Sequence, residues 1–317
     1  MSSDSNDLLS QPKVCLCVVT YNSGPLIRGL VESIPSGAAG TNWRLVFADN
    51  ASTDRTLAEI ARWAPDATVV QVGSNLGYAA GINHAIVAGG DSDAFLVLNA
   101  DVRLKAGCVS TLYNSLSPSI GIVVPRLDDA QGKLIWSMRR EPTVIRAWAD
   151  ALIGAERAGR WGLLGEVITD PRLYLAPCPT DWAEGSTQLV SSACWRATGR
   201  WDETFFLYSE EAEYDLRARE SGFLTLFQPA ARAVHLEGGS AESPSQWSLL
   251  TINRIRLFHR RHGIMSTFLF WAAALSREGS RALMGKTTSR AAVRDLLSLR
   301  RMRERPSARW LAGVHTD

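Results

Sequence analysis

Four apolar runs, each closed by a polar cluster and the first three followed by a helical pattern, constrain this chain more than any other feature. Residues 14–20 read Val-Cys-Leu-Cys-Val-Val-Thr, apolar without alternation. Such a run fits a strand of a parallel sheet covered on both faces. Tyr21-Asn22-Ser23-Gly24 follows, and Pro25 then opens a helical pattern with Leu26, Leu30 and Ile34 on one face; proline suits a first helical turn. The second run, residues 45–48, ends in Asp49-Asn50-Ala51-Ser52-Thr53-Asp54 and leads into a helix through Leu57, Ile60 and Trp63. The third covers 68–72, with a turn at 75–77 and a helix over 79–88. The fourth, 94–98, closes on Asn99-Ala100-Asp101. Strands alternating with helices predict a wound α/β sheet. Ligands of such sheets bind beyond the carboxyl ends of the strands, where these polar clusters fall.

The second half is less regular. Residues 126–181 are rich in Arg, Trp and Pro and show no strand ladder, as expected of a lid or binding loop. A strand is expected over 185–195, an acidic and aromatic block over 202–222 that is helical by Leu216, a short strand over 224–227 and a turn at 235–240. The remainder reads as helical and basic: residues 245–317 hold 14 Lys and Arg against 4 Asp and Glu, leaving 20 against 28 elsewhere. A basic tail on an acidic body points to a polyanion or an anionic membrane surface beside the tail. The expected division is a disordered 1–12, a catalytic unit over 13–244 (halves 13–125 and 126–244) and a helical extension over 245–317.

Residues 1–11 lack the apolar core of a signal peptide, and the apolar stretch 264–275 is too short to span a bilayer. The five cysteines are scattered; Cys15 and Cys17 read as small buried hydrophobes, since zinc would need further ligands at matching spacing. A reducing, cytoplasmic setting is expected, with peripheral contact at the inner face of a membrane as an option for the tail and no nucleic-acid partner.

Four groups could carry chemistry. Asp101, at a strand end, suits a hard divalent cation that takes its other oxygens from a diphosphate; as a turn residue or helix N-cap it would be unremarkable. Glu210, Glu211, Glu213 and Asp215 place four acids within six residues, directly after Phe205-Phe206-Leu207-Tyr208. Apolar surroundings raise a carboxyl's pKa toward general-base duty, whereas a solvated helix start would merely suit the dipole. His235, in a turn, can add an imidazole ligand. Tyr21 and Asp49, on adjacent strand ends, can stack on a nucleobase and accept its imino hydrogen, or serve as turn residues.

In this order the pieces resemble the inverting family 2 glycosyltransferases of GT-A fold, in the bacterial rhamnosyltransferase-like branch. They are Val18-Val19-Thr20-Tyr21-Asn22, Asp49-Asn50-Ala51-Ser52-Thr53-Asp54, Asn75-Leu76-Gly77-Tyr78 with Asn83, Asn99-Ala100-Asp101, Trp201 through Glu211, and His235 with Gly239-Ser240. The resemblance implies a wound mixed sheet flanked by helices. It implies that Thr20, Tyr21, Asn22 and Asp49 contact the nucleoside, and that Asn75, Gly77, Asn83, Asn99 and Ala100 border the ribose and diphosphate. Asp101 and His235 would hold Mg²⁺ or Mn²⁺. Glu211 would be the base of a single displacement, with Glu210 as the alternative. The donor would be a dTDP- or UDP-linked sugar, rhamnose by the closest branch, and the acceptor a carbohydrate, a lipid-linked species or a small natural product. Trp182 and Glu184, with Trp136, Arg139 and Arg140, are candidates to meet it. Asn99 departs from the family's Asp, and Glu211 is one methylene longer than the usual base. A second class, a non-catalytic sugar-nucleotide binder or a nucleotidyltransferase on a similar sheet, is disfavoured by the Glu210-Glu211 pair and by the lack of an early glycine-rich phosphate loop.

Overall fold

The computed structural model describes residues 11–162, 164–236 and 243–311. Most of the segment expected to be disordered, and Gly239 and Ser240 of the resemblance, lie outside the described residues. Eleven strands are present among them: β1 (Lys13–Thr20), β2 (Asn42–Asp49), β3 (Thr68–Gln71), β4 (Ala94–Asn99), β5 (Val102–Leu104), β6 (Ile120–Asp128), β7 (Met138–Arg139), β8 (Cys178–Thr180), β9 (Trp182–Ala183), β10 (Thr187–Ser191) and β11 (Leu224–His235). The main sheet runs β3-β2-β1-β4-β10-β6-β11-β5, with β8 beside β11, while β7 and β9 form a separate pair. β1 to β4 are mutually parallel, and β10 is antiparallel to both β4 and β6. This is the wound mixed sheet expected, flanked by helices.

β1 shows why its run does not alternate. Val14, Leu16 and Val18 enter one core layer, under the helix Gly24–Gly37, while Cys15, Cys17 and Val19 enter the other, against the helix Tyr78–Gly89. Both faces are dry, so every position is apolar, each buried Val or Leu contributing roughly 1.5–3 kcal/mol. The cysteines are unbridged, and Cys15 and Cys17 are wholly buried.

Three expectations for the second half need correction. The segment 126–181 begins inside β6 and holds β7, β8, the α-helices Val144–Ile153 and Ala155–Ala158 and a 3₁₀ turn at Pro171–Tyr174; its regular pieces are too short to show a period. The strand expected over 185–195 ends at Ser191, whose hydroxyl accepts from the Cys194 N–H and caps the helix Ser192–Thr198. β11 continues past Phe227 to His235. Pro229 offers no N–H, and the ladder with β6 shifts register between Gln228 and Arg232, which breaks the pattern a sequence would show.

The C-terminal helices, Pro244–Arg261, Ile264–Leu283 and Thr287–Leu297, share a core of Leu249, Ile252, Phe258, Phe270, Leu296 and Trp310 that also takes in Phe206. Three of the tail's basic residues face the acidic body. Arg254 pairs with Glu166, Arg260 with Asp202, and Arg261 with Glu141 and Glu220. Among the described residues, no helix is long and apolar enough to cross a membrane.

Candidate active site

The parallel register brings the polar strand ends to one edge: Thr20 lies opposite Asp49, Asp49 opposite Gln71, and Asn99 opposite Val19. The Thr20 hydroxyl donates to Asp49 Oδ1 at 2.9 Å, and Ser52 donates to the same carboxylate through its hydroxyl (2.6 Å) and its N–H (2.9 Å). Thr20 is fully buried. Its side chain orients Asp49, which is itself buried. Tyr21 is 50% exposed at the rim and free to stack. Asn22, at φ 51°, accepts from the Thr53 N–H at 2.8 Å and ties the first polar loop to the second.

Asn75 accepts from the Gly77 N–H at 3.1 Å, and Asn50 donates to the Gly77 carbonyl at 3.0 Å. Gly77 has φ 94°, and a Cβ there would collide with the Phe206 carbonyl oxygen. Only glycine meets both conditions. The next N–H, of Tyr78, donates to that same carbonyl at 2.7 Å. Asn83 is wholly buried, donates to Glu203 and the Trp201 carbonyl, and accepts from the Trp201 N–H, so it braces the loop before the acidic helix.

β5 runs antiparallel to the end of β11, pairing Val102 with His235. That register sets His235 Nε2 3.3 Å from Asp101 Oδ2, with Nδ1 3.5 Å from Glu184 Oε1. Glu184 is itself held by the N–H and hydroxyl of Ser186 (3.2 and 2.9 Å). Ala100 is buried beside them, and its carbonyl accepts from Arg103 at 3.0 Å. Among the described residues, no three His, Cys, Asp or Glu side chains are grouped to hold a metal by themselves.

The acids at 210 and 211 start the helix Glu210–Glu220, earlier than Leu216. The preceding loop hides this start, because Phe206, Tyr208 and Ser209 have φ of 65°, 69° and 75°. A cavity of about 450 Å³ lies before them, with Tyr78, Asn99, Trp182, Glu184, Glu210 and Glu211 among its lining residues. Burial, and then the neighbouring Glu184, lift Glu211 to about 7. Burial, and then Glu211, push Glu210 well up from its ordinary value. Burial, followed by the negative charges of Glu210, Glu184, Glu211 and Asp101, keeps the Tyr78 phenol protonated. One hydroxyl thus feels acids from both halves of the chain.

Of the cavity's remaining wall, Arg139 and Trp182 were expected near the acceptor, and the other residues were not apparent in the sequence. Arg139 and Trp182 come from the β7–β9 pair, Asp150 and Glu166 from the segment between, and Trp247, Leu250 and Arg254 from the helix Pro244–Arg261. Asp215 was read only as one of four acids. It is fully buried, accepts from the Ala183 N–H at 3.1 Å, and is pushed well up by burial, so it anchors β9.

Residues 15–165 match the family described as Glycosyl transferase family 2. The N-acetylglucosaminyl-diphospho-decaprenol L-rhamnosyltransferase of Mycobacterium tuberculosis is 28% identical over 230 residues, covering 68% of this chain and 74% of that protein. The fold is similar to that of the mannosyltransferase PcManGT from Pyrobaculum calidifontis, solved with GDP-Man and Mn²⁺. Its TM-score is 0.55 at 15% identity, covering 90% of this chain and 79% of that one. It is also similar to GalNAc-T7, solved with UDP, GalNAc and Mn²⁺, with a TM-score of 0.58 at 15% identity over 92% and 56%.

Proposed function

The chain is a family 2 glycosyltransferase of GT-A fold and rhamnosyltransferase-like type, and from this premise we propose its reaction. It moves a sugar, rhamnose first among the candidates, from a dTDP- or UDP-linked donor to a hydroxyl of a lipid-linked acceptor, with inversion. The M. tuberculosis relative, named for a diphospho-decaprenol acceptor and a rhamnosyl group, supports both choices.

The observation that carries the reading is that one cavity holds Asn99, from the donor edge, together with Glu211, lifted to about 7. In the displacement, the acceptor oxygen bonds to the anomeric carbon as its proton passes to the Glu211 carboxylate. The bond from that carbon to the diphosphate oxygen breaks, and its electron pair leaves with the nucleoside diphosphate. A base near neutrality is matched to this task. Glu210, pushed well up, keeps its proton in this step and adds no second charge beside Glu211. Tyr21 and Asp49 receive the nucleobase, and Trp182 and Glu184 face the acceptor.

Asp101 and His235 fit a divalent cation. They approach within 3.3 Å, and the other imidazole nitrogen faces Glu184, the outer carboxylate that usually steadies a metal-binding histidine. Two protein ligands suit a cation that takes oxygens from a substrate diphosphate. Bound there, Mg²⁺ or Mn²⁺ would offset the charge of the departing group.

The C-terminal helices leave Ile264, Met265, Phe268, Leu283 and Met284 exposed, with Lys286 and Arg290 nearby in sequence. This supports peripheral contact with an anionic membrane carrying the acceptor. Flotation with anionic vesicles tests that contact. Nucleoside diphosphate release from dTDP-rhamnose and UDP-sugars, with a polyprenyl-diphosphate-linked amino sugar present, tests the reaction. Failure of every donor to turn over with that acceptor would overturn it.

A further inference from the structure

We infer that Asn253, on the helix Pro244–Arg261, is a positioning residue for Glu211, and that the C-terminal helices thereby belong to the catalytic machinery. The inference rests on Glu211 being the base.

The loop before the acidic helix needs holding. Five non-glycine residues of the described chain have positive φ, and three of them, Phe206, Tyr208 and Ser209, fall in this one loop. Such backbone persists only where its surroundings over-determine it. The helix has no help from its own N-cap, since Ser209 makes no side-chain capping bond. Where Glu211 begins is therefore set by whatever fixes residues 205–209.

Two elements do so. From the donor side, the Tyr78 N–H donates to the Phe206 carbonyl at 2.7 Å. From the other side, the Asn253 Nδ2 amide donates to three carbonyls, of Phe205 at 2.8 Å, Leu207 at 2.9 Å and Tyr208 at 3.2 Å. Asn253 is wholly buried, so no water substitutes for it. A primary amide on a short stem offers two hydrogens to these three oxygens; a carboxylate in its place would face them with oxygens only. The amide's orientation is fixed from behind, because Arg256 Nη1 donates to Asn253 Oδ1 at 3.1 Å. Arg256 in turn donates to the carbonyls of Arg301 and Met302, both at 3.3 Å, and of Glu304. The segment around 301–304 is thus linked to the base through two side chains and one loop.

The test uses the full chain and compares wild type, Asn253→Ala, Asn253→Asp and Glu211→Gln. Thermal unfolding, nucleoside diphosphate affinity by calorimetry, and kcat and KM for donor and acceptor are measured for each. Misplacing the base by about 1 Å predicts a loss of kcat of roughly tenfold to a hundredfold in Asn253→Ala, larger in Asn253→Asp, with nucleotide affinity unchanged. If Asn253→Ala does not fold, Arg256→Lys decides by the same measurements, with a smaller fall in kcat expected. Wild-type kcat in the folded variant overturns the inference. A fall in nucleotide affinity matching the fall in kcat also overturns it, since that would mark general loosening. Near-normal turnover by Glu211→Gln instead defeats the base assignment, whatever Asn253 does.

Discussion

Thr20, Asp49 and Asn99 reach the donor edge at the ends of parallel strands, whereas Glu210 and Glu211 reach the same cavity through a loop with three positive φ values. The edge is fixed by its ladder. Each strand end is held by its neighbour's hydrogen bonds and by two apolar layers, so its geometry depends on many interchangeable contacts. The loop has no ladder. It depends on Tyr78, Asn253 and the close fit of Gly77, contributed by separate parts of the chain. A site assembled this way tolerates change on the strands' apolar faces but is sensitive to single residues far from the chemistry.

The predictions test that contrast, beginning with the largest effect. Glu211→Gln is expected to lower kcat by about a thousandfold, within the range for removing a general base, with nucleotide affinity retained. Steady-state kinetics beside calorimetry checks it, and near-normal turnover would sink the assignment. His235→Ala, or chelation of divalent ions, should reduce turnover by at least about tenfold to a hundredfold. Activity that is indifferent to both treatments would remove the cation from the site.

Below pH 7 the wild-type rate should fall about tenfold per unit, because Glu211, lifted to about 7 by burial and Glu184, must be deprotonated to accept a proton. A kcat/KM profile flat from pH 5 to 8 would contradict this. Gly77→Ala should lower the melting temperature by roughly 5 °C or more, since alanine resists φ 94° and would strike the Phe206 carbonyl. An equal loss from Ala79→Gly, at the second position of the helix, would show that the loop contact is not special.

The smallest effect expected is stabilisation by Glu210→Gln. The folded protein holds a proton on Glu210 that the unfolded chain releases above the ordinary carboxylate range, so this residue's contribution weakens as pH rises. The glutamine variant should melt a few degrees higher at pH 8 and close to wild type at pH 4, by calorimetry or circular dichroism. A variant less stable at pH 8 would mean that Glu210 is ionised and paired.

The donor half was legible because its signal is local. A run such as residues 14–20, its polar end and the following helix lie within about twenty residues, and periodicity suffices to read them. Thr20 and Asn83 show the limit of that legibility. Periodicity does not show that both side chains are buried and hydrogen-bonded inward, Thr20 to Asp49 and Asn83 to the Trp201 loop. Asn253 carried no signal, since one asparagine in a basic helix is unexceptional until three carbonyls converge on it.

By itself, the sequence determined the wound sheet, its polar edge and the acids available near it, because residue type and spacing encode burial and strand ends directly. The tertiary structure decided which acids are buried together, what His235 faces and what braces the loop before Glu211. Those depend on desolvation and on contacts between residues far apart in the chain, as between Asp101 and His235 or Asn253 and Tyr208. No local pattern records such distances.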